Sequence, residues 1–316
     1  MKIEDPTISS HPKVRWRRVI VYYLLVYIVS YALVGGFLAF GGSFRDPSWI
    51  FFAQVSSLTP ALMAIGLTRW LWRDPVAISL GLRMRRDRWL LVAWVVPWGL
   101  SLLALALGLS VPGVHWDGTL QPAVDAKFLS AGQLDSLRHI ATAISIPPIL
   151  LLVPMGLLAS VTMSFLAGCG EEIGWRGFVH GELRPLGFWR NAFVTGVLWL
   201  GWHLPLLALG YGHPQHPFIG AGLMSVYILI ASVGYAYLRE RAASSIVSGL
   251  FHGTTEATML LAVAPLAGGS DITLGMSSLS WIAAQLVVVC GLLASDVLFS
   301  NAPIVLRRKT ESFRVE

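Results

Sequence analysis

The sequence predicts an all-α polytopic membrane protein of about eight transmembrane helices, with both termini cytoplasmic. Three observations carry this. Of 316 residues, 55% are hydrophobic and 13% charged, with a mean hydropathy of +0.66; one soluble core of this length needs less apolar side chain. The apolar residues gather in runs long enough to cross a hydrocarbon layer of ~30 Å. Lys and Arg are unevenly shared among the connections between those runs.

The runs fall at about 17–41, 49–72, 89–110, 149–170, 191–210, 219–238, 243–264 and 278–300. The first follows a polar, basic segment and is about twice the length of a signal-peptide core, so it is expected to stay in the membrane as a helix. Trp49, Trp70, Trp72 and Trp89 lie at span ends, where aromatic anchors sit. If the N-terminus is inside, the inner segments hold Lys2, Lys13, Arg15, Arg17 and Arg18; Arg69, Arg73, Arg83, Arg85, Arg86 and Arg88; Arg184 and Arg190; Arg239 and Arg241; and Arg307, Arg308, Lys309 and Arg314. The outer segments hold only Arg45, Lys127 and Arg138.

This asymmetry also accounts for the net charge of +6 and the pI near 9.6 without a nucleic-acid partner. The basic residues flank apolar spans, where they meet anionic head groups. Residues 1–316 read as a single membrane domain with a motif-bearing core at about 149–264. The exception is the polar outer segment 111–146, with Pro112, Gly113 and Pro122 and a helical stretch from Ala126 to Ile144, expected to lie near the outer face. No internal repeat is evident, which disfavours carriers built from inverted repeats. Cys169 and Cys290 form no disulfide framework and no metal-type spacing; Cys169 reads as a small apolar core residue. His213 and His216 read as plain loop residues.

Against this background stand six ionisable residues inside or beside apolar runs: Glu171, Glu172, Arg176, His203, His252 and Glu256. The bilayer penalises each by a few kcal/mol, so such residues default to function. Glu171 and Glu172 point about 100° apart on a helix, whereas Arg176, four residues after Glu172, shares its face. That pair reads first as structural neutralisation, leaving Glu171 to face elsewhere. His252 and Glu256 repeat the spacing of four. Gly170, Gly174 and Gly177 read as close-packing positions.

Measured from the nearest inner basic residue, Glu171 and His203 lie at ~20 Å and His252 at ~17 Å, using 1.5 Å per residue. All three reach one level, in the cytoplasmic half or middle of the membrane. His203 alone would read as a packing residue, but convergence at one depth reads as a site. Two imidazoles and two carboxylates there suit proton transfer. A water between Glu171 and His203 can lose a proton and attack a carbonyl, with His252 donating to the oxyanion.

The run Gly170-Glu171-Glu172-Ile173-Gly174-Trp175-Arg176-Gly177-Phe178 resembles the first motif, Glu-Glu-x3-Arg, of the CAAX-protease and bacteriocin-processing (CPBP, or Abi) family of intramembrane proteases. Trp199 to His203, continuing through Leu204-Pro205, resembles the second, an aromatic residue four before a histidine. His252 to Glu256 stands in the place of the third, a histidine followed four residues later by Asn or Asp. The resemblance covers roughly 168–256. It implies a metal-independent glutamate endopeptidase with catalytic Glu171, His203, His252 and Glu256, supported by Glu172 and Arg176, needing no cofactor. Its substrate would be a peptide or membrane-anchored protein reached from the cytoplasmic side of a plasma (inner) membrane.

Glu256 departs from the pattern, because an ionised glutamate cannot donate to an oxyanion; the expectation is a protonated Glu256. Two alternatives stand beside this reading. One is a zinc peptidase with Glu171, His203, His252 and Glu256 as ligands, although the usual His-Glu-x2-His helix is absent. The other is a non-catalytic immunity or scaffold protein, or a proton-coupled carrier.

Overall fold

The computed structural model describes residues 13–43, 47–84, 87–125 and 129–306. Lys2, Arg45, Arg85, Arg86, Lys127, Arg307, Arg308, Lys309 and Arg314, used above in the charge bias, lie outside the described residues. The described residues are mostly helical, with two short strands.

Helix α1 (Trp16–Ala39) crosses first. Helices α2 (Pro47–Ser56) and α3 (Thr59–Gly66), with a π-helical turn at Leu67–Leu71, make one apolar span over Phe51–Leu71. After the short α4 (Val76–Ser79), α5 (Arg88–Leu109) starts at Asp87, whose side chain accepts from Trp89 N–H at 3.0 Å; this satisfies a backbone donor that the first turn leaves free.

The segment 111–146 holds strand β1 (His115–Trp116), α6 (Gln121–Asp125) and α7 (Ala131–Ala143). A reciprocal Ser130–Gln133 capping box opens α7, and Leu134, Leu137 and Ala141 turn inward onto Leu120, Ala123 and Leu151. The helix therefore begins five residues later than the sequence suggested, and residues 126–128 lie outside the described set.

Next come α8 (Leu152–Ala159), α9 (Met163–Glu172), a π-helical segment Ile173–Val179 and α10 (His180–Leu183). The chain then passes through α11 (Phe188–Ala208), α12 (Pro217–Ala242), α13 (Ser245–Val263), strand β2 (Leu266–Ala267), which pairs antiparallel with β1, and α14 (Leu279–Phe299).

Among the described residues, seven helices are long and apolar enough to cross a membrane; an eighth exists only if α7 and α8 count together, and they are bent by 101°. The expected span 149–170 is thus interrupted. Ser160 Oγ and Thr162 Oγ1 donate to the carbonyls of Leu157 and Leu158 at 2.8 and 2.7 Å, and Thr162 leaves helical geometry at φ −124°, ψ −109°. These hydroxyls compete for carbonyls at the end of α8, and Trp94 Nε1 holds Ser160 from α5 at 3.0 Å. Beyond the break, α9 does run on toward Arg184 as expected, through the widened turn, to a stop at Gly187 with φ 77°.

The most enclosed span is α13, packed against α5, α8, α9 and α12. Its contact with α9 is made by backbone. A Cβ on Gly168 would lie 2.4 Å from Gly249 O, and one on Gly253 would lie 2.2 Å from Ser164 O. Gly249 and Gly253 stand four apart, the spacing that lets apolar helices meet closely. Gly170, Gly174 and Gly177 are packing positions too, facing Ser57 O, Tyr22 and Pro60, and Leu80 O.

Two local expectations change. Trp70 is exposed, as an anchor should be, but Trp49 is buried against Phe37 and Phe52, and Trp72 stacks on Phe178 at 5.1 Å. Aromatic packing between helices holds these two instead of the interface. His213 is buried, and His216 Nδ1 meets Asp271 Oδ1 at 2.6 Å, so this loop is fastened to the connection between α13 and α14.

Candidate active site

The glycine crossing sets His252, which stands between Gly249 and Gly253, directly beside the end of α9. There Glu172 Oε1 accepts from His252 Nδ1 at 3.0 Å and from Arg176 Nη1 at 2.8 Å. Glu172 and Arg176 are fully buried, and the guanidinium lies between the rings of Trp199 and Tyr235, 4.8 and 4.9 Å from their centroids. Such a buried charge requires both its carboxylate and its enclosing aromatic faces. The π-helical segment Ile173–Val179 begins at this point, a feature frequent at functional sites.

Glu171 points elsewhere, as its 100° offset demands. It is 5% exposed, and its two oxygens accept from Ser57 Oγ at 3.1 Å and Trp199 Nε1 at 2.8 Å. Glu171, His252 and Glu256 each bring one donor atom to within 4.8 Å of the others. His252 Nε2 lies 3.6 Å from Glu256 Oε1, while the buried Glu256 Oε2 has no hydrogen-bond partner among the described residues.

His203 packs against the same indole. The centroids of Trp199 and His203 are 5.6 Å apart, and those of Trp199 and His252 are 5.5 Å apart. His203 Nδ1 donates to the carbonyl of Trp199 at 3.1 Å, which assigns the proton to Nδ1 and leaves Nε2 with its lone pair. Trp199 therefore joins the site: its indole binds Glu171, its carbonyl fixes His203, and its face covers Arg176. Among the described residues, the group of close metal-type donors is Glu171, His252 and Glu256; His203 stands outside it.

Sequence reasoning brought the six charged residues together but missed Ser57, Tyr235 and the glycine crossing. Tyr235 stacks on His252 at 5.0 Å and 25°. Nothing in the sequence signals Ser57 or Tyr235, whereas Gly249-x3-Gly253 was readable as a close-packing motif.

This arrangement can move a proton, orient an imidazole and hold a cation, which are the parts of a hydrolytic site. Residues 153–258, about a third of the chain, match the family model for type II CAAX prenyl endopeptidase Rce1-like proteins. Over that segment the chain is similar to CAAX-type endopeptidases. No curated protein matches it. The matched region contains all six ionisable residues and the three glycines of the crossing, while Ser57 comes from outside it. The matched family is a peptidase family, and the seven apolar helices make a multi-pass membrane protein.

Proposed function

We propose that the protein hydrolyses a peptide bond of a membrane-associated, lipidated peptide by activating water between Glu171 and His203. The observation that carries this is the hold on Glu171: two donors, Ser57 and Trp199, fix a buried carboxylate in one orientation. In the reaction, the Glu171–His203 pair takes a proton from water as its oxygen bonds to the carbonyl carbon. The oxyanion that forms is stabilised by His252 as an imidazolium: its Nδ1–H is held by Glu172, and its second proton, on Nε2, is donated to the oxyanion. Glu256, protonated, supplies a second donor to that oxyanion. The proton held at Glu171–His203 passes to the leaving nitrogen as the C–N bond breaks.

The matched family is one of prenyl endopeptidases, which favours a prenylated peptide as substrate. The bias of basic residues supports both termini, and the opening of the site, on the cytoplasmic side of the plasma membrane.

A second reading is favoured by one observation, the approach of Glu171, His252 and Glu256 to within 4.8 Å. Donors around a tetrahedral zinc stand roughly 3.3 Å apart, so a modest inward shift would let these three hold one. The ion would supply a Lewis acid and an acidified water.

Cleavage of a fluorogenic prenylated CAAX peptide in proteoliposomes tests both. Glu171→Gln is expected to lower kcat about 10²- to 10⁴-fold, and excess chelator to leave the wild type unchanged. Activity lost to chelator and restored by zinc would move the mechanism to the metal. Full activity in Glu171→Gln would end the carboxylate mechanism.

A further inference from the structure

The helix carrying His203 contains a defect close to that residue. Pro205 lies inside α11, and proline has no N–H to give to the carbonyl four residues earlier. That carbonyl belongs to Gly201. Tyr31 Oη of α1 donates to Gly201 O at 2.7 Å, supplying the hydrogen bond that Pro205 withholds. One turn earlier along α1, Tyr27 Oη donates to Leu198 O at 2.8 Å.

Tyr23, Tyr27 and Tyr31 recur every four residues and form a continuous ladder, with centroids 3.8 and 5.0 Å apart along it. Three successive features of α11 are therefore pinned on one stretch: Leu198 O by Tyr27, Trp199 O by the His203 ring itself, and Gly201 O by Tyr31. His203 stands midway between Gly201 and Pro205, so the direction of its free Nε2 depends on how that stretch is held. The lower end of α1 is independently fixed, because Arg15 donates to Glu182 at 2.6 and 2.9 Å and Arg18 pairs with Asp74. The ladder is thus a braced element, with its other end anchored near α10.

We infer that Tyr31 is a positioning residue for His203: α1, which lies outside the family-matched segment, completes the hydrogen bonding of the proline-broken helix that carries the base. This rests on the reading of His203 as a partner of Glu171. A missing hydroxyl would leave a buried carbonyl unpaired and let the turn relax, turning Nε2 away from the reacting water. An error of an ångström there is enough to lower rate without weakening substrate binding.

The test is a four-variant cycle on the full-length protein in proteoliposomes with the fluorogenic prenylated CAAX peptide: wild type, Tyr31→Phe, Pro205→Ala and the double variant, with His203→Ala alongside. Tyr31→Phe in the wild-type background is expected to lower kcat about tenfold with KM within about twofold. In the Pro205→Ala background, residue 205 regains an N–H for Gly201 O, and the same Tyr31→Phe change is expected to cost less than about twofold. A loss of packing alone would give the same factor in both backgrounds, and that result, or no loss in either, overturns the positioning role. His203→Ala separates the two layers. If it cleaves as fast as wild type, the assignment of His203 fails, and with it any role for Tyr31 in holding it. If it is inactive, the factors in the cycle decide the role of Tyr31 alone.

Discussion

Two helix interfaces hold the site, and they are made of opposite materials. Where α9 meets α13, the side chains have been removed: Gly168, Gly249 and Gly253 bring backbone against backbone. Where α1 meets α11, side chains have been added: Tyr27 and Tyr31 reach across to single carbonyls. The first joins Glu172 to His252 at hydrogen-bond distance and leaves no freedom. The second sets His203 through long side chains whose tips can shift. The chemistry therefore rests on one rigid joint and one adjustable brace, and substitutions should tell them apart.

The largest effect is expected at the rigid joint. Glu172→Gln leaves the Arg176 guanidinium buried without a full counter-charge and should destabilise the protein by about 3–5 kcal/mol, read as unfolding in detergent. Glu172→Gln with Arg176→Met should recover a large part of that loss. If the double variant is no more stable than the single one, the burden lies in shape and not in charge.

Next comes a pair of alanine substitutions with nearly equal clash distances. Gly253→Ala sets a Cβ 2.2 Å from the backbone oxygen of Ser164, and Gly201→Ala sets one 2.1 Å from the hydroxyl of Tyr27. Backbone cannot yield, but a tyrosine tip can. Gly253→Ala is expected to cost about 2–3 kcal/mol and Gly201→Ala about 1 kcal/mol or less in thermal unfolding. Equal costs would erase the distinction between the two interfaces.

The smallest effect lies outside both interfaces, where the loop after α11 meets Asp271. Burial raises the Asp271 carboxyl, but hydrogen bonds from His216 and from the backbone N–H of Gln215 outweigh it and hold the group below its ordinary value. A depressed carboxylate stabilises the fold above its unfolded value and loses that contribution as pH falls through the folded one. The Tm of wild type should therefore exceed that of Asp271→Asn by ~2 °C or less at pH 6, with the gap closing toward pH 3. A gap that widens on acidification would contradict the assigned direction.

Much of this could be read from the residues. Charges inside apolar runs identify themselves by cost, and a spacing of four brings Glu172 to Arg176 and His252 toward Glu256 because helical geometry is local. The depth count that brought Glu171, His203 and His252 to one level worked for the same reason. What escaped depends on contacts between distant segments. Ser57 reaches Glu171 across 114 positions, and nothing around a serine announces its acceptor. The break at Ser160–Thr162 escaped because hydropathy averages over hydroxyls, whereas the backbone responds to each one. The burial of Trp49 and the stacking of Trp72 on Phe178 escaped because a tryptophan at a span end serves an interface and a helix contact equally well.

The wide turn at Ile173–Val179 has a consequence for how this protein can change length. A π-helical segment uses more residues per turn than its surroundings, so it stores surplus chain inside a helix. Removing one residue there would let the turn close to regular geometry while the helix beyond keeps nearly its direction, because the wide turn had already absorbed that residue. The same deletion in regular helix would swing everything beyond by about 100°, turning His180 and Glu182 away from Glu240 and Arg15. The segment is therefore the place in this stretch where the loss of one residue should least disturb the anchorage on the far side.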